Sequence, residues 1–359
     1  MDYGFTDILT MLGALGLFLY GMKVMSDALM ELAGDRMRNI LSTTMSNRFF
    51  AVLTGFTITA VIQSSSATTL MVVSFTNANL LTLTEAIGVI MGANIGTTVT
   101  AWLISILGFK VSMSAIALPL VGLGFILSMN RKKKLQNWGY FIVGFAVLFI
   151  GLQFLKDSVP DIGNSPEILA FMSEYTSMGY ASVILFLFIG TVLTVIVQSS
   201  SATMALTLLM TYEGWIPFDM AAAMVLGENI GTTITANLAA LVANYQGRRA
   251  ARAHFIFNIL GVIWMLVLFY PFLQAINAVV MRIEGVSPFV EATAVPVALS
   301  LFHTCFNIIN TSLLLGFIKT IAGIAERMVP AVIEQEEAID QPKYLDRSSL
   351  EYPQTGIKA

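Results

Sequence analysis

The peptide Gln63-Ser64-Ser65-Ser66-Ala67-Thr68 recurs as Gln198-Ser199-Ser200-Ser201-Ala202-Thr203, shifted by 135 residues. At the same offset, Gly92-Ala93-Asn94-Ile95-Gly96-Thr97-Thr98 recurs as Gly227-Glu228-Asn229-Ile230-Gly231-Thr232-Thr233. Hydroxyls and amides dominate both strings, and such groups hold small ions. Ser side chains compete for local backbone hydrogen bonds, so each triplet is expected to break a helix. Gly96 and Gly231 tolerate unusual backbone angles, so a second break is expected near 92–98 and its counterpart. Half-helices meeting at breaks aim free N–H groups at one locus and free C=O groups at another. The first favours an anion and the second a small cation.

Charge is sparse around these strings. Between Arg48 and Lys110 the only acid or base is Glu85, and the second copy adds Glu213, Asp219 and Glu228. No Arg or Lys is expected near any of the breaks. An anion would be held by neutral donors, with co-bound cations supplying positive charge. Na⁺ suits hydroxyl, amide and carbonyl oxygens, and it lowers the cost of bringing an anion into a low-dielectric site.

The elements that position these strings are apolar. The chain is 56% hydrophobic and 11% charged, against about 25% charged in soluble domains. This implies an integral membrane protein embedded in a lipid bilayer. The apolar runs lack a period of two, which favours an all-α fold over a membrane barrel. Net charge is −3, so no nucleic-acid partner is indicated; two His and one Cys leave no disulfide and make zinc improbable. The N-terminus lacks a basic region, so the first apolar segment is expected to stay as a membrane helix. Membrane elements are expected at 5–26, 49–80, 83–107, 112–129, 137–155, 179–212, 219–243, 253–273 and 295–318.

Basic residues give a direction. Arg36, Arg38 and Arg48, then Arg131-Lys132-Lys133-Lys134, then Arg248, Arg249 and Arg252 mark cytoplasmic loops. The stretch 157–178 carries Asp157, Asp161, Glu167 and Glu174 without Lys or Arg and suits the outside. Segment 5–26 then runs outward to inward and 137–155 the reverse. Leu17-Phe18-Leu19-Tyr20-Gly21-Met22 resembles Val147-Leu148-Phe149-Ile150-Gly151-Leu152, and Asp27 matches Asp157. The same unit enters the membrane twice in opposite directions, an inverted-topology repeat. The run 49–62 would reach only ~21 Å as helix, short of the ~30 Å hydrocarbon core. Segment 49–80 is therefore expected as a re-entrant hairpin with Gln63–Ser66 at its tip, and 83–107 as a crossing broken at Gly92–Thr98. The second copy repeats the plan with hairpin 179–212 and broken crossing 219–243.

The expected organisation is thus a first repeat over 1–135, a second over 136–273, one additional transmembrane helix in 274–325, and a cytoplasmic tail over 326–359. The N-terminus is expected outside the plasma (bacterial inner) membrane. A homo-oligomer is left open.

The doubled Gln-Ser-Ser-Ser and Asn-Ile-Gly-Thr-Thr strings resemble the type II sodium–phosphate cotransporter family over about residues 10–325. The resemblance implies a secondary active transporter that couples sodium, as co-substrate, to inorganic phosphate by alternating access. Carried over by position, it implies Gln63, Ser64, Ser65, Ser66, Thr68, Gln198, Ser199, Ser200, Ser201 and Thr203 as phosphate and sodium ligands. Asn94, Thr97, Thr98, Asn229, Thr232 and Thr233 are implied as neighbours. Pro342-Lys343-Tyr344-Leu345-Asp346 is similar to the approach to a PhoU-like cytoplasmic domain in bacterial relatives.

Other readings compete. A single Ser triplet would fit helix packing, where small residues gather; the matched repeat favours a site. Glu228 stands where the first copy has Ala93, and an intramembrane carboxylate marks a functional position by default, here a cation ligand or proton carrier. His254-Phe255-Ile256-Phe257-Asn258 and His303-Thr304-Cys305-Phe306-Asn307 place His and Asn on one helix face, for interhelical hydrogen bonds rather than metal. An ion channel, or a sodium-coupled carrier of another small anion such as arsenate, would use similar parts. A serine hydrolase is disfavoured, since neither triplet lies in a Gly-x-Ser-x-Gly context.

Overall fold

A computed structural model describes residues 4–43, 47–111, 113–158 and 174–331. Asp161, Glu167 and the tail peptide Pro342–Asp346 lie outside them. The described chain is all-helical. In order, the helices are α1 Phe5–Thr43, α2 Arg48–Ile62, α3 Ser65–Asn77, α4 Leu83–Leu103 with a π-helical extension Ile104–Lys110, α5 Ser114–Ser128 and α6 Lys133–Ser158. Then come α7 Tyr180–Val197, α8 Ser200–Tyr212, α9 Phe218–Ala239, α10 Tyr245–Val267, α11 Phe269–Glu284, α12 Val295–Leu314 and α13 Ile318–Met328. Among the described residues, six apolar stretches are long enough to cross a membrane: Phe5–Ala33, Leu83–Lys110, Lys133–Ser158, Tyr180–Val197, Tyr245–Val267 and Ala292–Met328.

Local chemistry sets many of the ends. The Asn47 side chain accepts from the Phe49 N–H to start α2. Thr82 and Glu85 form a reciprocal capping box at α4, so Glu85 serves the helix start. Leu268 separates α10 from α11, and Gly285 in the left-handed region ends α11. The region 274–325 is consequently not one helix. It holds the end of α11, all of α12 and the start of α13, because Gly285 and the turn before Pro296 interrupt it.

The largest departure from the sequence expectation concerns the Asn-Ile-Gly-Thr-Thr strings. Neither crossing is broken there: α4 and α9 run as continuous α-helices through Gly92–Thr98 and Gly227–Thr233. The Thr hydroxyls donate back to the helix itself, Thr97 to Ala93 O at 3.1 Å and Thr232 to Glu228 O at 2.9 Å. The glycines serve close approach instead. A Cβ on Gly92 would stand 1.9 Å from the Val52 carbonyl oxygen, and one on Gly227 would stand 2.0 Å from that of Leu187. Reciprocally, a Cβ on Gly55 would meet Val89 O at 1.9 Å, and one on Gly190 would meet Met224 O at 2.3 Å. Small residues let backbones touch, and dispersion between them then holds helices that apolar surroundings would not drive together. The two pairs, α2 with α4 and α7 with α9, run parallel and use the same 135-residue offset in their contacts.

Helices α1 and α6 pack differently. Met25 meets Gly144, Gly21 meets Leu148, and Phe18 meets Gly151, so one numbering falls as the other rises and the helices are antiparallel. Phe18 and Gly21 are the residues aligned with Leu148 and Gly151 by sequence. The contact is therefore reciprocal, as across a twofold axis.

Replacing Gly92 by Ala is expected to destabilise the protein by about 2 kcal/mol or more, because the clash is with backbone. Gly122→Ala in α5, where a Cβ meets nothing within 4 Å, should leave the protein as stable or slightly more so. Melting in detergent compares the two, and equal melting temperatures would refute the packing role.

Candidate functional site

Each Ser triplet does break its helix, and in the same way. Gln63 ends α2 in the left-handed region (φ 59°, ψ 28°), and Gln198 ends α7 likewise (φ 56°, ψ 23°). Apart from Asn79, these are the only non-glycine residues with positive φ among the described residues. A side chain in this conformation costs roughly 1–2 kcal/mol, so glycine would be easier. Ser64 and Ser199 then turn extended, and their Oγ atoms accept from the Ala67 and Ala202 N–H groups at 3.2 and 3.3 Å. The next bond is Thr68 N–H to Ser64 O, matched by Thr203 N–H to Ser199 O. The N–H groups of Ser65, Ser66, Ser200 and Ser201 are left without an acceptor among the described residues.

Both breaks face one cavity of about 390 Å³, lined by Gln63–Ala67 and Leu70 from one and by Val197–Ser201 from the other. Its walls thus carry two helix N-termini, whose free N–H groups and positive dipole ends suit an anion. Gln63 is buried, its Nε2 donates to Ala60 O at 2.5 Å, and its Oε1 has no partner. That orphaned oxygen suits a cation or a donor on a ligand. Gln198 is exposed in the same cavity, so the two copies are not equivalent.

Of the sequence-derived candidates, Gln63, Ser64, Ser65, Ser66, Gln198, Ser199, Ser200 and Ser201 are brought together here. Thr68 and Thr203 lie behind them, fully buried. Thr59 donates to Thr68 at 2.9 Å, and Thr68 passes its own proton to Ser64 O at 3.1 Å; Thr203 bonds Ser199 O at 3.0 Å. These bonds fix the extended residue at each break. Asn94, Thr97, Thr98, Asn229, Thr232 and Thr233 are buried in helix packing and do not line the cavity. Asn94 donates to Asn258 Oδ1 at 2.8 Å, and its own Oδ1 stands 3.3 Å from His254 Nε2. The first His-x-x-Phe-Asn string therefore makes interhelical hydrogen bonds, linking α4 to α10. The second leaves His303 Nδ1 and Asn307 Oδ1 buried without partners.

Glu228 is 2% exposed, and its Oε1 lies 2.8 Å from Thr207 Oγ1. The same hydroxyl lies 3.0 Å from Thr203 O, and one hydroxyl proton serves one acceptor fully. Glu228 thus sits directly behind the second break, linked to it through Thr207 and Thr203.

The cavity also corrects the expectation that no basic group lies near the breaks. Lys23 of α1 lines it, together with Ser26 and Asp27. Distance along the chain hid these residues, which lie far from both breaks in sequence. The available signal was a Lys and an Asp four apart inside an apolar span.

The model of the Na⁺/Pi-cotransporter family matches residues 17–157 and 169–290. Among curated relatives, the protein named "Putative inorganic phosphate export protein YjbB" of Salmonella typhimurium is 28% identical over 96% of this chain and 60% of its own length. The "Uncharacterized protein YqeW" of Bacillus subtilis is 28% identical over 88% of this chain and 95% of its own length. Human "Sodium-dependent phosphate transport protein 2B" is 36% identical over 29% of this chain and 15% of its own length. The chain spans about 60% of the length of the phosphate export relatives. No solved structure matches it.

Gln63→Gly should raise the melting temperature by relieving the left-handed backbone, while ligand binding in the cavity weakens because the orphaned amide oxygen is gone. Melting and solute binding on the same preparation test this. Loss of both together would show Gln63 to be purely structural.

Proposed function

This chain belongs to the Na⁺/Pi-cotransporter family, and from that premise we propose that it is a secondary active transporter moving inorganic phosphate together with sodium ions. It is a multi-pass membrane protein by its apolar helices and its family. The observation that carries the proposal is the single cavity shared by Gln63–Ser66 and Gln198–Ser201. Four free backbone N–H groups and the Ser hydroxyls are donors for a tetrahedral oxyanion. Gln63 Oε1 and the hydroxyl lone pairs are acceptors for Na⁺. Anion and cation lower each other's desolvation cost in one low-dielectric site, which is the physical basis for coupling.

The proposed architecture is two inverted repeats, 1–135 and 136–273, with α2–α3 and α7–α8 as re-entrant hairpins. Three features support it. The antiparallel, reciprocal contact of α1 with α6 is what an inverting axis would produce. The parallel glycine contacts recur at the sequence offset. Helix α2 has 15 residues, about 22 Å, too short to span the hydrocarbon core, whereas α7, with 18 residues, enters the reading through its match to α2. Basic loops support a cytoplasmic C-terminal side and an outside N-terminus in a plasma membrane. In this reading Gln63, Ser64, Ser65, Ser66, Gln198, Ser199, Ser200 and Ser201 contact the ions. Thr68, Thr203, Asn94, Thr97, Thr98, Asn229, Thr232 and Thr233 brace the helices that carry them, and alternating access exposes the cavity to each side in turn. Covalent chemistry is not required.

Purified protein in liposomes is expected to take up radiolabelled phosphate faster with a sodium gradient, saturating in both ions. Uptake indifferent to sodium, or transport of another solute in place of phosphate, would overturn the proposal. Glu228→Gln is expected to change the sodium or pH dependence of that uptake, since Glu228 backs the second break. Unaltered sodium and pH profiles would eliminate its role in ion coupling.

A further inference from the structure

We propose that Lys23 of α1 is the charged ligand of the transported oxyanion, so that the site is built from three segments rather than two. This rests on the cavity's being the phosphate site. Leu19, Met22, Lys23, Ser26, Asp27 and Met30 all line it. Their spacing of three and four residues places them on one face of α1. That face is registered against the first break by a specific bond. The Ser26 hydroxyl, 8% exposed, donates at 3.0 Å to the carbonyl of Ile62. Ile62 is the last residue of α2 before the left-handed Gln63, so its carbonyl lacks the normal helical acceptor role. Ser26 satisfies it and thereby fixes where Lys23 and Asp27 stand relative to the Ser triplet.

Among the described residues, Lys23 is the only basic one lining the cavity and Asp27 the only acidic one. They are four apart, the spacing of a helical ion pair, yet no ion pair joins them; among the described residues the one salt bridge is Lys110–Glu284. The Lys-before-Asp order is the weaker orientation for such a pair. Lys23 also lies inside the apolar span Phe5–Ala33, where a charge is costly and marks an ion path.

The counterpart positions show that helix packing does not demand this charge. At the 130-residue offset relating α1 to α6, Lys23 corresponds to Gln153 and Asp27 to Asp157. Gln153 donates to Asp157 Oδ1 at 2.7 Å and accepts from Ser114. That pair is neutral on one side and hydrogen-bonded within itself. Its α1 equivalent is charged on both sides and open to the cavity. An ammonium there adds a charge-assisted bond to the donors at the helix N-termini. It also supplies part of the positive charge that sodium would otherwise have to provide alone.

The test is phosphate uptake by reconstituted protein at a fixed sodium gradient. Lys23→Gln is expected to raise the phosphate concentration for half-maximal uptake on the order of tenfold, and Lys23→Arg should stay within about threefold because it keeps the charge. Amine-reactive labelling of the unmodified protein adds a measurement that needs no variant. Phosphate with sodium should slow modification of Lys23 but not of Lys133 in the Arg131–Lys134 run. An unchanged half-saturation in Lys23→Gln, or labelling of Lys23 indifferent to phosphate, would overturn the assignment while leaving the transport reading intact. Absence of phosphate uptake by the unmodified protein would remove the transport reading and this inference with it.

Discussion

A helix inside an apolar medium can end only where its exposed backbone groups find partners or face water or a ligand. The arrangement around Gln63 and Gln198 answers this constraint, and the rest of the fold is arranged about it. One left-handed residue turns the chain, and one extended Ser caps the next helix with its own hydroxyl. Thr68 and Thr203 then tie down the carbonyl of that Ser. The capping leaves two N–H groups per break without an internal acceptor, and the residues that carry them line the shared cavity. The cost of a left-handed Gln is borne because the conformation aims those donors and leaves Gln63 Oε1 unpartnered.

Holding such breaks in place requires rigid neighbours. Parallel helix pairs in backbone contact supply them: Gly55 and Gly92 on one side, Gly190 and Gly227 on the other. Packing at that distance leaves no room for a side chain, and it couples each break to the long helix beside it. The Asn-Ile-Gly-Thr-Thr strings belong to that support. Their Thr hydroxyls bond within their own helices, and Asn94 joins α4 to α10 through Asn258 and His254. Polar residues in an apolar helix thus have two distinct places here, a cavity wall at the Ser triplets and interhelical attachment at the Asn.

The near symmetry is broken where charge enters. Glu228 replaces Ala93 behind the second break, and the pair Lys23 and Asp27 opens to the cavity while Gln153 and Asp157 bond each other. Gln63 is buried but Gln198 is exposed. Two copies of one scaffold therefore present different electrostatic surroundings to a single cavity.

Much of this was legible in the chain itself. Apolar runs and scarce charge determined a helical membrane protein, because lipid can solvate neither strands with open edges nor isolated charges. The 135-residue repeat located both breaks within the strings Gln63–Ser66 and Gln198–Ser201, since three successive Ser have a local preference to leave a helix. The same local reasoning failed at Gly92–Thr98 and Gly227–Thr233. Glycine permits a break and equally permits a backbone contact, and only the presence of α2 and α7 alongside decides between them. Lys23 gave only a faint signal for the converse reason. Its role depends on a neighbour 40 residues away, brought close when Ser26 satisfies the carbonyl of Ile62. Local propensity and composition act within a few residues and are written in sequence. Which helix covers which face is a matter of packing between distant segments, and only the tertiary structure decided it.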